Sequence, residues 1–137
     1  GYSDSWINQR LKSIEIRKDL TDEWNRSGIE GKEYGILTND ITEAWANMTV
    51  AQYKKHKDLK KENLRDNMSN MELVLNMLAE ASATEISKAQ NPKGLKQSRE
   101  VAKKGGAVAR AAREDLEKQT GTSVVTSKNA KNLRGLE

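Results

Sequence analysis

The sequence predicts an all-α protein, a compact multi-helix domain built around a long antiparallel helix pair, with a short extended or irregular C-terminal tail. Three observations carry this. Apolar residues recur at helical spacing through most of the chain, and capping signatures punctuate it. Only 35% of the 137 residues are hydrophobic, 32% are charged and phenylalanine is absent, a balance suited to a thin helical assembly that another chain can complete.

The elements follow in order. A first helix is expected from about Asp4 to Arg26, ending at "RSG", where Gly28 supplies a left-handed cap. "EGKEYG" is a connector, and Thr38 or Asn39 caps a short helix after it. Thr49-x-x-Gln52 reads as a capping box. "KKHKDLKKENLRDNM" follows, with Asp58/Lys61 and Glu62/Arg65 as acid-first i,i+3 pairs of local helix support. Ser69-x-x-Glu72 opens a long helix to about Gln90. Asn91-Pro92 signals the start of the last helix, with proline at its first position, and Gly121 ends it. "TSVVTS" is a short extended stretch in a tail over residues 120–137. No repeat or linker divides residues 1–137, so the chain reads as a single domain, the C-terminal part of a longer protein.

Helical periodicity assigns the faces. On the long helix Met71, Leu75, Leu78, Ser82 and Ala89 share one side, widened by Leu73, Val74 and Met77, while Glu72, Asn76, Glu80 and Ser87 form the polar remainder. On the last helix Ala102, Gly105, Ala109 and Ala112 form a small-residue stripe for close helix packing, between Leu95, Ser98 and Leu116. Two adjacent glycines in a helix each cost about 1 kcal/mol relative to alanine, so close approach explains Gly105, with Gly106 at its margin. A phosphate loop needs a preceding strand and Gly-x-x-x-x-Gly-Lys-Ser/Thr, and neither is present. The first helix carries two apolar faces, Ile7, Leu11 and Ile14 on one side and Ile16, Leu20 and Trp24 on the other. The second face is the expected oligomer or partner interface, most simply of a two-fold dimer.

The net charge of +4 is unevenly placed. Residues 1–53 carry six basic and nine acidic side chains, whereas residues 88–113 carry eight basic ones and only Glu100 as an acid. Lys96, Arg99, Lys103, Arg110 and Arg113 fall along one arc of the last helix, a candidate surface for nucleic acid or an acidic partner. Without cysteine, and with His56 alone, disulfides and Cys/His zinc sites are excluded. His56 has no Ser, Cys or paired carboxylate at a telling spacing, and Asp58, Glu62 and Asp66 are interleaved with lysines, so no catalytic residue, metal or cofactor is expected. No apolar run approaches a membrane span and no leader precedes the first helix, which fits a cytoplasmic protein.

Four segments, "WINQRLKSIEIRKDLTDEW", "EYGILTNDITEA", "YKKHKDLKKENLRDNMSNMELVLNMLAEASATEISKAQ" and "GGAVARAAREDLEKQTGTSVVTSKN", together cover nearly the whole chain. They resemble the C-terminal region of bacterial and phage proteins related to DNA-damage-inducible protein D, many of which begin with a BRO-type N-terminal domain and are labelled antirepressors. The resemblance implies a prophage or SOS-linked setting and a protein partner: a recombinase such as RecA, a repressor, or the protein's own N-terminal domain. It supplies no catalytic residues. The expected function is therefore a non-enzymatic interaction or oligomerisation module, with DNA binding through the basic helix face as the alternative.

Overall fold

A computed structural model describes residues 2–132. The main helices of the described residues are α1 (Asp4–Arg26), α2 (Glu33–Ala46), α3 (Val50–His56), α4 (Asn70–Gln90) and α5 (Gly94–Thr120), with a 3-10 turn at Arg65–Asn67 before α4. No strand occurs among the described residues. Among the described residues no helix is long and apolar enough to cross a membrane.

Local chemistry sets most helix ends. The Ser3 hydroxyl accepts from the Trp6 amide to start α1. Thr49/Gln52 and Ser69/Glu72 form complete capping boxes at α3 and α4, satisfying two amides at each start. Gly121, at φ +74°, closes α5 in the left-handed conformation that costs glycine least.

Three ends differ from the sequence expectation. The second helix begins at Glu33, a turn before Thr38, because Glu33 Oε1 reaches back to the Glu30 amide at 3.0 Å and Tyr34 packs edge-on against Trp24. The last helix begins at Gly94 rather than at Pro92: Asn91, at φ +49°, is the left-handed cap of α4, and Lys93 is extended. Between His56 and Asn70 the chain leaves the helical ladder. Asp58 is left-handed, Glu62 Oε1 accepts from the Lys60 and Lys61 amides, and Asn63 Oδ1 accepts from those of Arg65 and Asp66. Side-chain acceptors here compete with the helix. The i,i+3 pairs expected at Asp58/Lys61 and Glu62/Arg65 do not form; Asp66 pairs with Arg10 and Arg65 with Glu80.

Helix directions follow from the contacts. α1 and α4 run parallel, since Arg17 meets Glu80 and Glu23 meets Ser87. α5 returns antiparallel to α4 through a three-residue connector and runs parallel to α2, with Arg99 against Asp40 and Arg113 against Trp45. α5 thus lies in a groove between α2 and α4. The core beneath holds Leu20, Trp24, Leu37, Ile41, Trp45, Tyr53, Met68 and Leu73, all at 3% exposure or less.

The adjacent glycines serve two different neighbours in that groove. A Cβ on Gly105 would stand 2.6 Å from the Ala83 backbone of α4, and one on Gly106 would stand 2.5 Å from Ala44 Cβ and 2.7 Å from the Ile41 carbonyl of α2. Gly106 is therefore a contact of equal rank, not a margin. The stripe around Gly105 is buried at Ala102 and Ala109, but Ala112 is exposed, because the buried register shifts to Arg113.

Residues 121–132 fold back across the domain. Val124 and Val125 pack against the core, Thr126 N–H donates to Glu72 at 3.2 Å, and the Lys128 carbonyl accepts from Lys57 Nζ at 2.6 Å. "TSVVTS" forms bends rather than a strand.

Candidate functional site

The polar face of α4 lies inward. Glu72, Asn76, Glu80 and Ser87 are 2% exposed or less, while Met71 and Leu78 of the expected apolar face are solvent-exposed. Each of the four inward residues ties α4 to another part of the chain, Glu80 and Ser87 both to α1, and these bonds offset much of the cost of burying them. Glu72 accepts from Lys57 Nζ at 2.8 Å, from the Tyr53 hydroxyl, from the Ser69 amide and from Thr126 in the tail. Asn76 Oδ1 accepts from the Trp45 indole of α2 at 3.3 Å. Glu80 accepts from Arg17 of α1 at 2.8 Å and from Arg65 at 3.1 Å. Ser87 donates to Glu23 of α1 at 2.8 Å.

Burial acts on the partners. It lowers the Lys57 ammonium from the usual lysine range against the pull of Glu72, and it lowers the Arg65 guanidinium against Glu80. The Tyr53 hydroxyl is pushed well above its ordinary value, by burial first and then by the Glu72 carboxylate. Glu23 moves the other way, held below the ordinary carboxylate range chiefly by hydrogen bonds from Arg26.

The basic arc of α5 is largely committed within the fold. Arg99 grips Asp40 of α2 through Nε and a terminal nitrogen at 2.9 and 3.2 Å, and Arg110 pairs with Glu114 at 2.9 Å. Arg113 is buried, donating to the Trp45 carbonyl at 2.7 Å and to Glu117 at 2.7 Å. It is a helix-to-helix tether, not the surface contact that its place on the basic arc predicts. Lys96 and Lys103 are exposed and have no carboxylate partner among the described residues.

The two faces of α1 are also reassigned. Leu20 and Trp24 sit in the core at 0% and 3% exposure, and Ile16 is half-buried, so this is not the free face. Ile7, Leu11 and Ile14 stand open at 42%, 58% and 52%. The reason lies in partners that periodicity cannot supply: Trp24 stacks edge-on with Tyr34, and the Arg17 guanidinium lies 5.0 Å over its ring.

Lys57, Arg65 and Arg17 carry the buried network, and none stands out in the sequence. A signal was available in the two acids of α4 eight residues apart, facing six cations between residues 54 and 66. Among the described residues no group of three or more His, Cys, Asp or Glu side chains is placed to share a metal ion.

Comparison with curated proteins found no match, and comparison with solved structures found none either. A family model does match, that of the DinD C-terminal domain, over residues 6–132. That span runs from Trp6, whose indole donates to the Met68 carbonyl at 2.9 Å, through the whole bundle to the returning tail, and the chain belongs to the DinD C-terminal domain family.

Proposed function

We propose that this domain is a non-enzymatic protein-interaction module of a DNA-damage-linked regulatory protein, and that it self-associates through α1. One observation carries the reading: Ile7, Leu11 and Ile14 make an uncovered apolar stripe at i, i+4, i+7 on a surface helix. The occupant that fits is a second copy. An antiparallel two-fold pairing centred on Leu11 sets Lys18, seven residues after it, opposite Asp4, seven before it, in the other copy. Both charges lie on the arc of the apolar stripe, so the pairing is complementary at each end.

Light scattering after size-exclusion chromatography tests this. The expected result is a dimer at high micromolar concentration that Leu11→Asp converts to a monomer with unchanged thermal stability. Asp4→Lys should weaken the dimer, and Asp4→Lys with Lys18→Asp should restore it. A strict monomer at that concentration defeats the self-association reading. Binding of random duplex DNA that falls steeply with salt, and is lost on reversing Lys96 and Lys103, would favour the nucleic-acid alternative instead.

A further inference from the structure

A cavity of about 140 Å³ opens where α2, α3, the loop before α4 and α4 itself converge. Its wall includes Lys54, Asn63, Arg65 and Asn76, with Val50 and Leu64 as apolar lining.

The polar side chains of that wall have donors to spare. Asn76 is 2% exposed, and its orientation is fixed because Oδ1 must accept from the Trp45 indole. Its Nδ2 has no partner. Arg65 spends a terminal nitrogen on Glu80, and its buried Nε has no partner. Asn63 Oδ1 is occupied by the Arg65 and Asp66 amides, which leaves its NH2 edge as the free one. Lys54 is half-buried and has no carboxylate partner among the described residues. Buried donors without acceptors are costly, and native proteins rarely keep two at one wall.

We infer that this cavity binds a small oxyanion, a carboxylate or phosphate group of a free small molecule, accepting from Asn76 Nδ2, Arg65 Nε and Lys54 Nζ. Charge supports it: Lys54 and Arg65 line the wall, and Glu80, the carboxylate that Arg65 touches, does not line it and is shared between Arg17 and Arg65 through Oε2, its buried Oε1 having no partner. Size supports it too, since a cavity of roughly 150 Å³ accommodates a ligand as large as benzene. A headgroup with a few attached carbons fits, its carbons against Val50 and Leu64. This site is independent of association through α1.

The probes are sodium phosphate and sodium acetate, titrated at constant ionic strength with sodium chloride as the control, while the Asn76 side-chain amide and the Arg65 Nε–H are followed by nitrogen–proton NMR. Saturable shifts of both resonances with either salt, absent with chloride, are expected; phosphate alone identifies a phosphate ligand, acetate alone a carboxylate. Lys54→Met removes a charged donor that no fold contact uses, so it should fold and weaken binding about tenfold or more. Shifts that never saturate, that chloride reproduces, or that Lys54→Met leaves unchanged would mean that the cavity holds only water, overturning the assignment.

Discussion

Single side chains in this protein carry charge into places where a sequence reader expects carbon. Lys57 and Glu72 are both fully buried, 2.8 Å apart, and each has further partners: Lys128 for the lysine, Tyr53, Ser69 and Thr126 for the glutamate. A buried ion pair is weak evidence of net stability, but removing one member leaves the other uncompensated. Lys57→Met should therefore cost about 3–5 kcal/mol in urea unfolding. Adding Glu72→Gln should recover part of that loss; a single mutant as stable as the parent would show that water reaches the pair. Glu23 gives the pH signature. Its folded pKa is lowered, chiefly by Arg26, so its contribution is present above the ordinary carboxylate value and lost as pH falls through the folded one. Glu23→Gln should be less stable than the parent at pH 7, the gap closing in acid below about pH 4. A gap independent of pH would assign its effect to packing.

At the scale of helices, glycine substitution measures how closely α5 approaches its neighbours. The sequence alone suggests that alanine at Gly105 is mild, because exchanging glycine for alanine removes unfolded-state entropy. Geometry reverses that expectation. An added Cβ meets Ala83 Cα, Cβ and N all at 2.6 Å, so backbone must move and not merely a side-chain tip. Gly105→Ala should cost about 1–3 kcal/mol by overpacking, and Gly105→Leu more. Ala83→Gly should rescue only part, since the Cα and N remain. Gly106→Ala should behave alike against α2, through the Ile41 carbonyl. Thermal melts of the four variants decide this, and an unchanged midpoint for Gly105→Ala would place α5 farther from α4. Why small residues occur along α5 is thus legible in the sequence. Which neighbour each one faces is not, because two helices share the groove and periodicity reports only one direction at a time.

Across the whole molecule, helix existence and capping were legible because they are local: Ser69/Glu72 and Thr49/Gln52 close their boxes within one turn. Helix faces were misread wherever a polar group meets a distant partner. Hydropathy marks Glu72, Asn76, Glu80 and Ser87 only as the polar remainder of α4, yet they are buried, and their long-range partners lie 15 to 64 residues away, on α1, α2, the stretch after α3 and the tail. The oxyanion cavity shares that cause, since its wall comes from segments separated in sequence. The same arrangement makes a prediction about cooperativity. α4 fastens every other element through a buried polar contact or close packing, so no helix can leave without stranding a charge or opening the core. Trp6, Trp24 and Trp45 are buried on α1 and α2, and helical circular dichroism reports all five helices. The two signals should give coincident urea transitions with one midpoint, as for a two-state domain. Removing residues 122–137 should lower that midpoint while keeping the curves coincident, because Lys57 loses the Lys128 carbonyl and Glu72 loses the Thr126 amide at one site. The loss should shrink when Lys57 is already methionine, since the truncation and the substitution act on one network. Fully additive effects, or tryptophan curves that part from the helical signal, would mean that the tail and the bundle unfold as separate units.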